Sequence, residues 1–255
     1  MISSEFYFEN SAQPLLAFAI HNGSEMPIEL LNNCGIDQST RKREEDPYTD
    51  GFAQLFPNRA VVLTSRFAVD LNRSPEKAIY LKPEDAWGLP VRTSELDPEL
   101  IAVLQEAYED WYKLAFYQID RMLKTHKRLL ILDLHSFNHR RGGPAAVPDP
   151  QQDNPDIIIG RNNLDISRYA EVERLHLQLD GQNYLDARLD CRCDVKFPGG
   201  YFSRWVNSTF GTRVLCLAIE FKKTFMNEWT GELDIAAYEE LKAIFKHAVD
   251  SLGYT

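Results

Sequence analysis

Four largely apolar runs constrain this 255-residue chain more than any other feature. They occupy residues 15–20, 60–64, 129–134 and 214–219. Each has the length of a strand, and none alternates with polar residues, so each predicts a strand covered on both faces. Between the second and third runs the period changes to that of a helix. Asp97 is placed to cap it, Pro98 suits its first turn, and apolar residues recur at Leu100, Leu104, Tyr108, Trp111, Ala115, Ile119 and Leu123. A second helical pattern covers 233–252 and stops at Gly253. Strands separated by helices predict an α/β fold with a central, mostly parallel sheet flanked by helices. The Pro/Gly-rich stretches at 142–150 and 198–200 read as loops over that sheet, because strand-like runs resume after each. One domain is therefore expected over 1–255.

Composition narrows the partners. Hydrophobic residues at 44% and charged residues at 26% exclude wholesale disorder. A formal net charge of −10 argues against a nucleic-acid backbone or an anionic membrane as partner, because either needs a basic face. No apolar stretch approaches the roughly 18–20 residues of a bilayer span. The start, Met-Ile-Ser-Ser-Glu, lacks the basic and apolar blocks of a secretory signal. Cys34, Cys191, Cys193 and Cys216 have the spacing of neither a disulfide framework nor a zinc knuckle. Reduced thiols and a cytoplasmic location are expected.

Three of the apolar runs lead into an ionisable residue: His21, His135 and Glu220. The carboxyl ends of strands carry the ligand site in open α/β sheets. Two imidazoles and a carboxylate are a usual protein set for a catalytic zinc. The histidines are far apart in the chain, so only their shared position at strand ends links them; a hydrogen-bonded structural role fits either one alone. The acidic run Glu44-Glu45-Asp46, followed by Asp50, would supply the carboxylate, or would form a solvated turn before Pro47. Asp133 precedes His135 by two residues, which on a strand puts both on one face and lets Asp133 fix the imidazole tautomer. Residues 65–73 hold Arg66, Asp70, Asn72 and Arg73; the planar arginine fork suits a carboxylate, and Asp70 would hold one arginine in place. Gly199 and Gly200 permit a close approach and present Tyr201, with Arg204 three residues on. Glu220 lies between Ile219 and Phe221, where desolvation would raise its pKa and suit it to proton transfer.

Taken in order, several stretches resemble the N-formylglutamate amidohydrolases from about residue 15 to about 230. They are His-Asn-Gly at 21–23, Glu-Asp-Pro-Tyr-Thr-Asp at 45–50, Ser-Arg-Phe-Ala-Val-Asp-Leu-Asn-Arg at 65–73 and Asp-Leu-His-Ser at 133–136. Pro155-Asp156-Ile157-Ile158-Ile159-Gly160, Gly199-Gly200-Tyr201 and Ala218-Ile219-Glu220 complete the set. The resemblance implies a mixed sheet between helices, similar in architecture to the zinc carboxypeptidases. It implies a hydrolase that uses zinc or another divalent metal. Its partner would be a small-molecule N-acyl amino acid, N-formylglutamate first, yielding formate and the free amino acid. Carried over by residue, it makes His21 and His135 metal ligands and maps the acidic ligand to Glu45 or Asp46, with Asp46 favoured. It pairs Asn72 with Arg73 on the substrate carboxylate, with Arg66 nearby, and makes Glu220 the general base; in the mechanism this suggests, Arg66 or Arg141 would stabilise the oxyanion, and Tyr201, presented by its glycine turn, would bind the substrate. The chain departs from the family pattern at Asn22, where a Ser is usual, and at Arg161-Asn162-Asn163, where small residues are usual. Two further readings stay open: a related metallopeptidase acting on short peptides, and a non-catalytic amino-acid binder on the same fold.

Overall fold

The computed structural model describes residues 1–10, 12–161 and 163–254. Strands β1 (Ser4–Phe8) and β2 (Leu15–Ala19) open the chain, followed by helices α1 (Ile28–Asn32), α2 (Gln38–Glu44) and α3 (Thr49–Ala53). Strand β3 (Asn58–Val62), the long helix α4 (Pro98–Leu123), β4 (Leu129–Phe137) and β5 (Ile157–Gly160) come next. Helix α5 (Tyr169–Leu179), β6 (Asn183–Tyr184), β7 (Ala187–Arg188) and β8 (Cys191–Cys193) follow. Helix α6 (Tyr201–Phe210), β9 (Val214–Lys222) and α7 (Ile235–Asp250) close it. Among the described residues, seven strands form one sheet in the order β1-β3-β2-β4-β9-β5-β8, and β6 and β7 form a separate hairpin. Pairings β2–β3, β2–β4, β4–β9 and β5–β8 are parallel, whereas β1–β3 and β5–β9 are antiparallel. The sheet is mixed and mostly parallel, as expected.

The apolar runs are continuous because each strand is packed on both sides. Leu15, Ala17, Leu130, Leu132, Leu215 and Leu217 face a core shared with α3, α5 and α7. Leu16, Phe18, Leu129, Ile131, Val214 and Cys216 face a second core shared with α4 and α6. Burying a Leu, Ile or Phe side chain contributes about 1.5–3 kcal/mol, so these central strands form the rigid frame. Helix α4 starts as its sequence predicts: Asp97 accepts from the Glu99 N–H, and Pro98 occupies the first turn.

Two expectations are corrected in detail. His135 and Glu220 do not end their strands. Each lies inside a nine-residue strand, because the ladder between β4 and β9 continues through Phe137 and Lys222. The turn at 198–200 leads straight into α6, a helix the sequence pattern did not announce. The described cysteines are all free thiols. Among the described residues no helix is long and apolar enough to cross a membrane.

Candidate metal centre

The sheet register assembles the site. Along β4, Leu130, Leu132 and Leu134 point to one core, so Asp133 and His135 emerge on the opposite face. On β9 the same alternation turns Glu220 to that face, and the ladder sets Glu220 directly beside His135. His21 follows β2, the other neighbour of β4. The chain then leaves the sheet through α1 and α2 and returns at Asp46, whose N–H donates to the His21 carbonyl at 3.0 Å.

His21, Asp46 and His135 are all buried, and one ligand atom of each lies within 4.8 Å of the others. Asp46 Oδ2 is 3.0 Å from His135 Nδ1 and 3.5 Å from His21 Nδ1. The outer ring nitrogens are engaged by two further buried carboxylates. His21 Nε2 lies 2.8 Å from Asp70 Oδ1, and His135 Nε2 lies 2.9 Å from Asp133 Oδ1. Asp133 thus takes up the orienting place that its two-residue spacing from His135 predicts. Asp70 was legible only as an arginine holder. It does bind Arg66, at 2.8 Å, and also accepts from the Tyr80 hydroxyl and, at 2.8 Å, from the Asn72 N–H. Its contact with His21 joins two segments with no sequence spacing between them that would announce it.

The acidic run divides. Asp46 faces the imidazoles. Glu45 turns the other way, accepting from Ser65 Oγ at 2.5 Å, and burial raises its pKa despite that bond. Neither forms the solvated turn that the run alone allows, since both are buried. Burial by itself would raise the Asp46 carboxyl, but the hydrogen bond from His135 and the His21 imidazole beside it overcome this and hold the group well below the usual carboxylate range. The converse holds at His135: burial would lower its pKa, and Asp133 and Asp46 hold it well above the ordinary imidazole value. Burial pushes Glu220 up to about 8, with Asp46 and Asp133 adding to the effect and His135 opposing it.

This arrangement fits a divalent cation. Both imidazoles turn Nδ1 inward and commit Nε2 to a carboxylate, which leaves an inward lone pair on each ring when Nε2 carries the proton. His21 Nδ1 is buried with no hydrogen-bond partner among the described residues, an orphaned atom that a metal bond would satisfy. Ligand atoms about 2 Å from a tetrahedral zinc stand about 3.3 Å apart. The observed 3.0 and 3.5 Å separations bracket that value.

Of the remaining candidates, Asn72 touches His135, and Arg66 and Arg73 reach the centre only through Asp70. Asn72 is fixed by the start of α6: its carbonyl accepts from the Tyr201 N–H at 3.2 Å, and its Oδ1 accepts from the Phe202 N–H at 3.0 Å. Its Nδ2 is therefore directed to the His135 ring, 3.4 Å from Nε2. The approach requires Gly200, where a Cβ would stand 2.0 Å from Asn72 Oδ1. Arg73 is half-exposed, with Nε 3.9 Å from Asp70 Oδ2. Arg66 is held by Asp70 and lies over the Trp87 ring, with Nε unpartnered among the described residues. Arg141 is exposed in the loop after β4. Tyr201 is half-buried and lines an open groove of about 410 Å³ with Tyr108, Tyr112 and Trp205.

A family model described as N-formylglutamate amidohydrolase matches residues 13–226. The chain belongs to that family. It is similar in structure to an N-formylglutamate amidohydrolase from Ralstonia eutropha JMP134, at a TM-score of 0.75 and 15% identity, over 100% of this chain and 98% of that one. It is also similar to the gene product Atu2144 of Agrobacterium tumefaciens, at a TM-score of 0.67 and 17% identity, over 99% and 97% of the two chains. At these identities the two structures speak to the fold alone. No curated protein matches the chain.

Membership of this amidohydrolase family does not erase the departures. Asn22, in place of the usual Ser, accepts from the Asp50 N–H at 3.2 Å and so braces the start of α3. After Gly160, Arg161 binds Asp194 at 2.8 Å and Asn163 donates to Ser203 Oγ at 2.8 Å; Asn162 lies outside the described residues. The Arg161 and Asn163 side chains anchor the loop that brings Gly199 against Gly160.

Proposed function

We propose that the chain is a metal-dependent amidohydrolase of N-acyl amino acids, with N-formyl amino acids such as N-formylglutamate first among its substrates. The observation that carries this reading is the meeting of His21, Asp46 and His135, their outer nitrogens tied to Asp70 and Asp133, with Glu220 in register beside His135. Family membership supports the reaction class.

In this reading His21, His135 and Asp46 hold the metal, and Glu45 supports the loop from behind. A divalent ion such as zinc supplies Lewis acidity to the scissile carbonyl and the attacking water. Asn72 and Arg73 bind the substrate carboxylate, which makes the attack effectively intramolecular. Glu220 takes a proton from water as the oxygen adds to the acyl carbon, then returns it to the nitrogen as the C–N bond breaks. The products are the free acid, formate for a formyl substrate, and the free amino acid. Arg66 or Arg141 is the cation we assign to the negative charge that builds on the carbonyl oxygen. Tyr201 borders the bound substrate.

The test is formate release from N-formyl amino acids, run beside N-acetyl amino acids and dipeptides, with zinc present and after chelation. Formate release that disappears on chelation and returns with zinc is expected. Glu220→Gln should retain zinc by elemental analysis and lose at least about a hundredfold in kcat. Near-normal turnover in that variant removes Glu220 from the mechanism. Faster cleavage of dipeptides than of formyl substrates would favour the peptidase reading. Absence of bound metal and of hydrolysis would favour the binder.

A further inference from the structure

Lys223 follows β9 three residues after Glu220, and it is 1% exposed. Among the described residues its ammonium makes no ion pair with a carboxylate at hydrogen-bond distance. It donates instead to two main-chain carbonyls, those of Arg43 at 2.6 Å and Glu45 at 2.7 Å. Burying an ammonium is costly, and burial indeed lowers its pKa, with Asp46, Glu44 and Glu228 opposing the drop. An apolar side chain would fill the same space at less cost, so these two contacts have to account for the lysine.

The two carbonyls lie where α2 ends and the Asp46 segment begins. Helix α2 finishes at Glu44, and Glu45 already has extended backbone, so the terminal carbonyls lack intrahelical partners. Lys223 reaches across from another element and supplies one to each side of Glu44, with the charge sign the helix end favours. The Glu45 carbonyl and the Asp46 N–H are the two ends of one peptide group. Lys223 holds the carbonyl end, and the His21 carbonyl holds the N–H end at 3.0 Å. The carbonyl of Asp46 in turn accepts from the Thr49 hydroxyl at 2.7 Å. Asp46 is thus fixed on both sides, and the link on its N-terminal side runs to the strand that carries Glu220.

We infer that Lys223 is a positioning residue for the metal centre, setting the Asp46 carboxylate against both imidazoles. The inference rests on the metal-hydrolase reading above. It assigns Lys223 no contact with metal or substrate; it acts through the Glu45–Asp46 peptide.

The experiment measures zinc affinity by competition with a chromophoric chelator, alongside thermal unfolding and steady-state kinetics. Lys223→Met keeps the length and removes the donors. It should bind zinc at least about tenfold more weakly in the folded protein, with kcat reduced and KM little changed, because Asn72 and Arg73 are untouched. Lys222→Met is the control. Lys222 is also a buried lysine, but it pairs with Asp156 at 2.5 Å and binds Gln151 at 2.6 Å and the Asn154 carbonyl at 3.0 Å, away from Asp46. It should lose stability and keep zinc affinity within twofold. Zinc affinity within twofold of wild type in folded Lys223→Met overturns the inference, as does an equal loss in the control. If the Met variant does not fold, Lys223→Gln, which keeps a donor, carries the same test. If neither folds, the lysine serves global stability and the positioning role fails. A wild-type protein that binds no zinc fails the metal reading itself, whereas normal zinc binding with an unaffected Lys223→Met fails only this inference.

Discussion

Replacing Asp70 with Asn changes one atom of charge and hydrogen bonding at the most connected acid in the molecule. Asp70 is fully buried, and its two oxygens accept from four donors: His21 Nε2 and the Asn72 N–H on Oδ1, Arg66 and the Tyr80 hydroxyl on Oδ2. An asparagine has one acceptor oxygen, so whichever way the amide turns, its NH₂ faces two donors. The charge is lost as well, leaving Arg66 without its counter-ion. Burial alone would raise the Asp70 carboxyl; Arg66 and His21 hold it well below the usual range, which measures how strongly its surroundings select the anion. Breaking a buried pair from one side costs about 3–5 kcal/mol, and for a chain of this size roughly 2–4 °C in Tm accompanies each kcal/mol. Chelated Asp70→Asn should therefore melt about 6–20 °C below chelated wild type. Loss of the carboxylate behind His21 should also weaken zinc binding about 10–100-fold. Calorimetry and chelator competition read the two effects separately. The double variant with Arg66→Met divides them further: with the cation gone, Asp70→Asn should cost less stability but the same zinc affinity. A Tm within 2 °C of wild type together with zinc affinity within twofold would refute the network as the support of His21.

The structure offers two more tests, one at the site and one away from it. Gly200→Ala suffers no backbone strain at φ −86°, but its Cβ meets Asn72 Oδ1. It should cost about 1–3 kcal/mol by denaturant unfolding and raise KM for N-formyl amino acids several-fold; an unchanged KM argues against Asn72 as a carboxylate contact. Burial would raise Glu228, but its bonds to His139 and Arg43 lower it to about 2. A depressed pKa stabilises above the unfolded value near 4.5 and loses that contribution as pH falls toward 2. Between pH 4.5 and 2 wild type should lose stability more steeply than Glu228→Gln, and parallel unfolding curves would contradict this.

Residue types and periods determine much of this protein without any coordinates. Largely apolar runs dictate strands packed on both faces, and the Asp97-Pro98 start dictates the long helix, because these preferences are local and repeat every two or 3.6 residues. Asp133 and His135 show their shared face for the same reason. The short elements β1, α2, α3, α5 and α6 are not legible, since their stability comes from the surfaces they cover. The division of Glu45 from Asp46 belongs to the tertiary structure alone. Both are acids in one run, and only the return of that segment against His21, with Lys223 and Ser65 behind it, turns Asp46 toward the imidazoles and Glu45 away. The same holds for Asp70 on His21 and for Asn72 under the start of α6. Such contacts join segments tens of residues apart, and their geometry is set by sheet order and ladder register. Those are properties of the packed chain, and no spacing within the sequence encodes them.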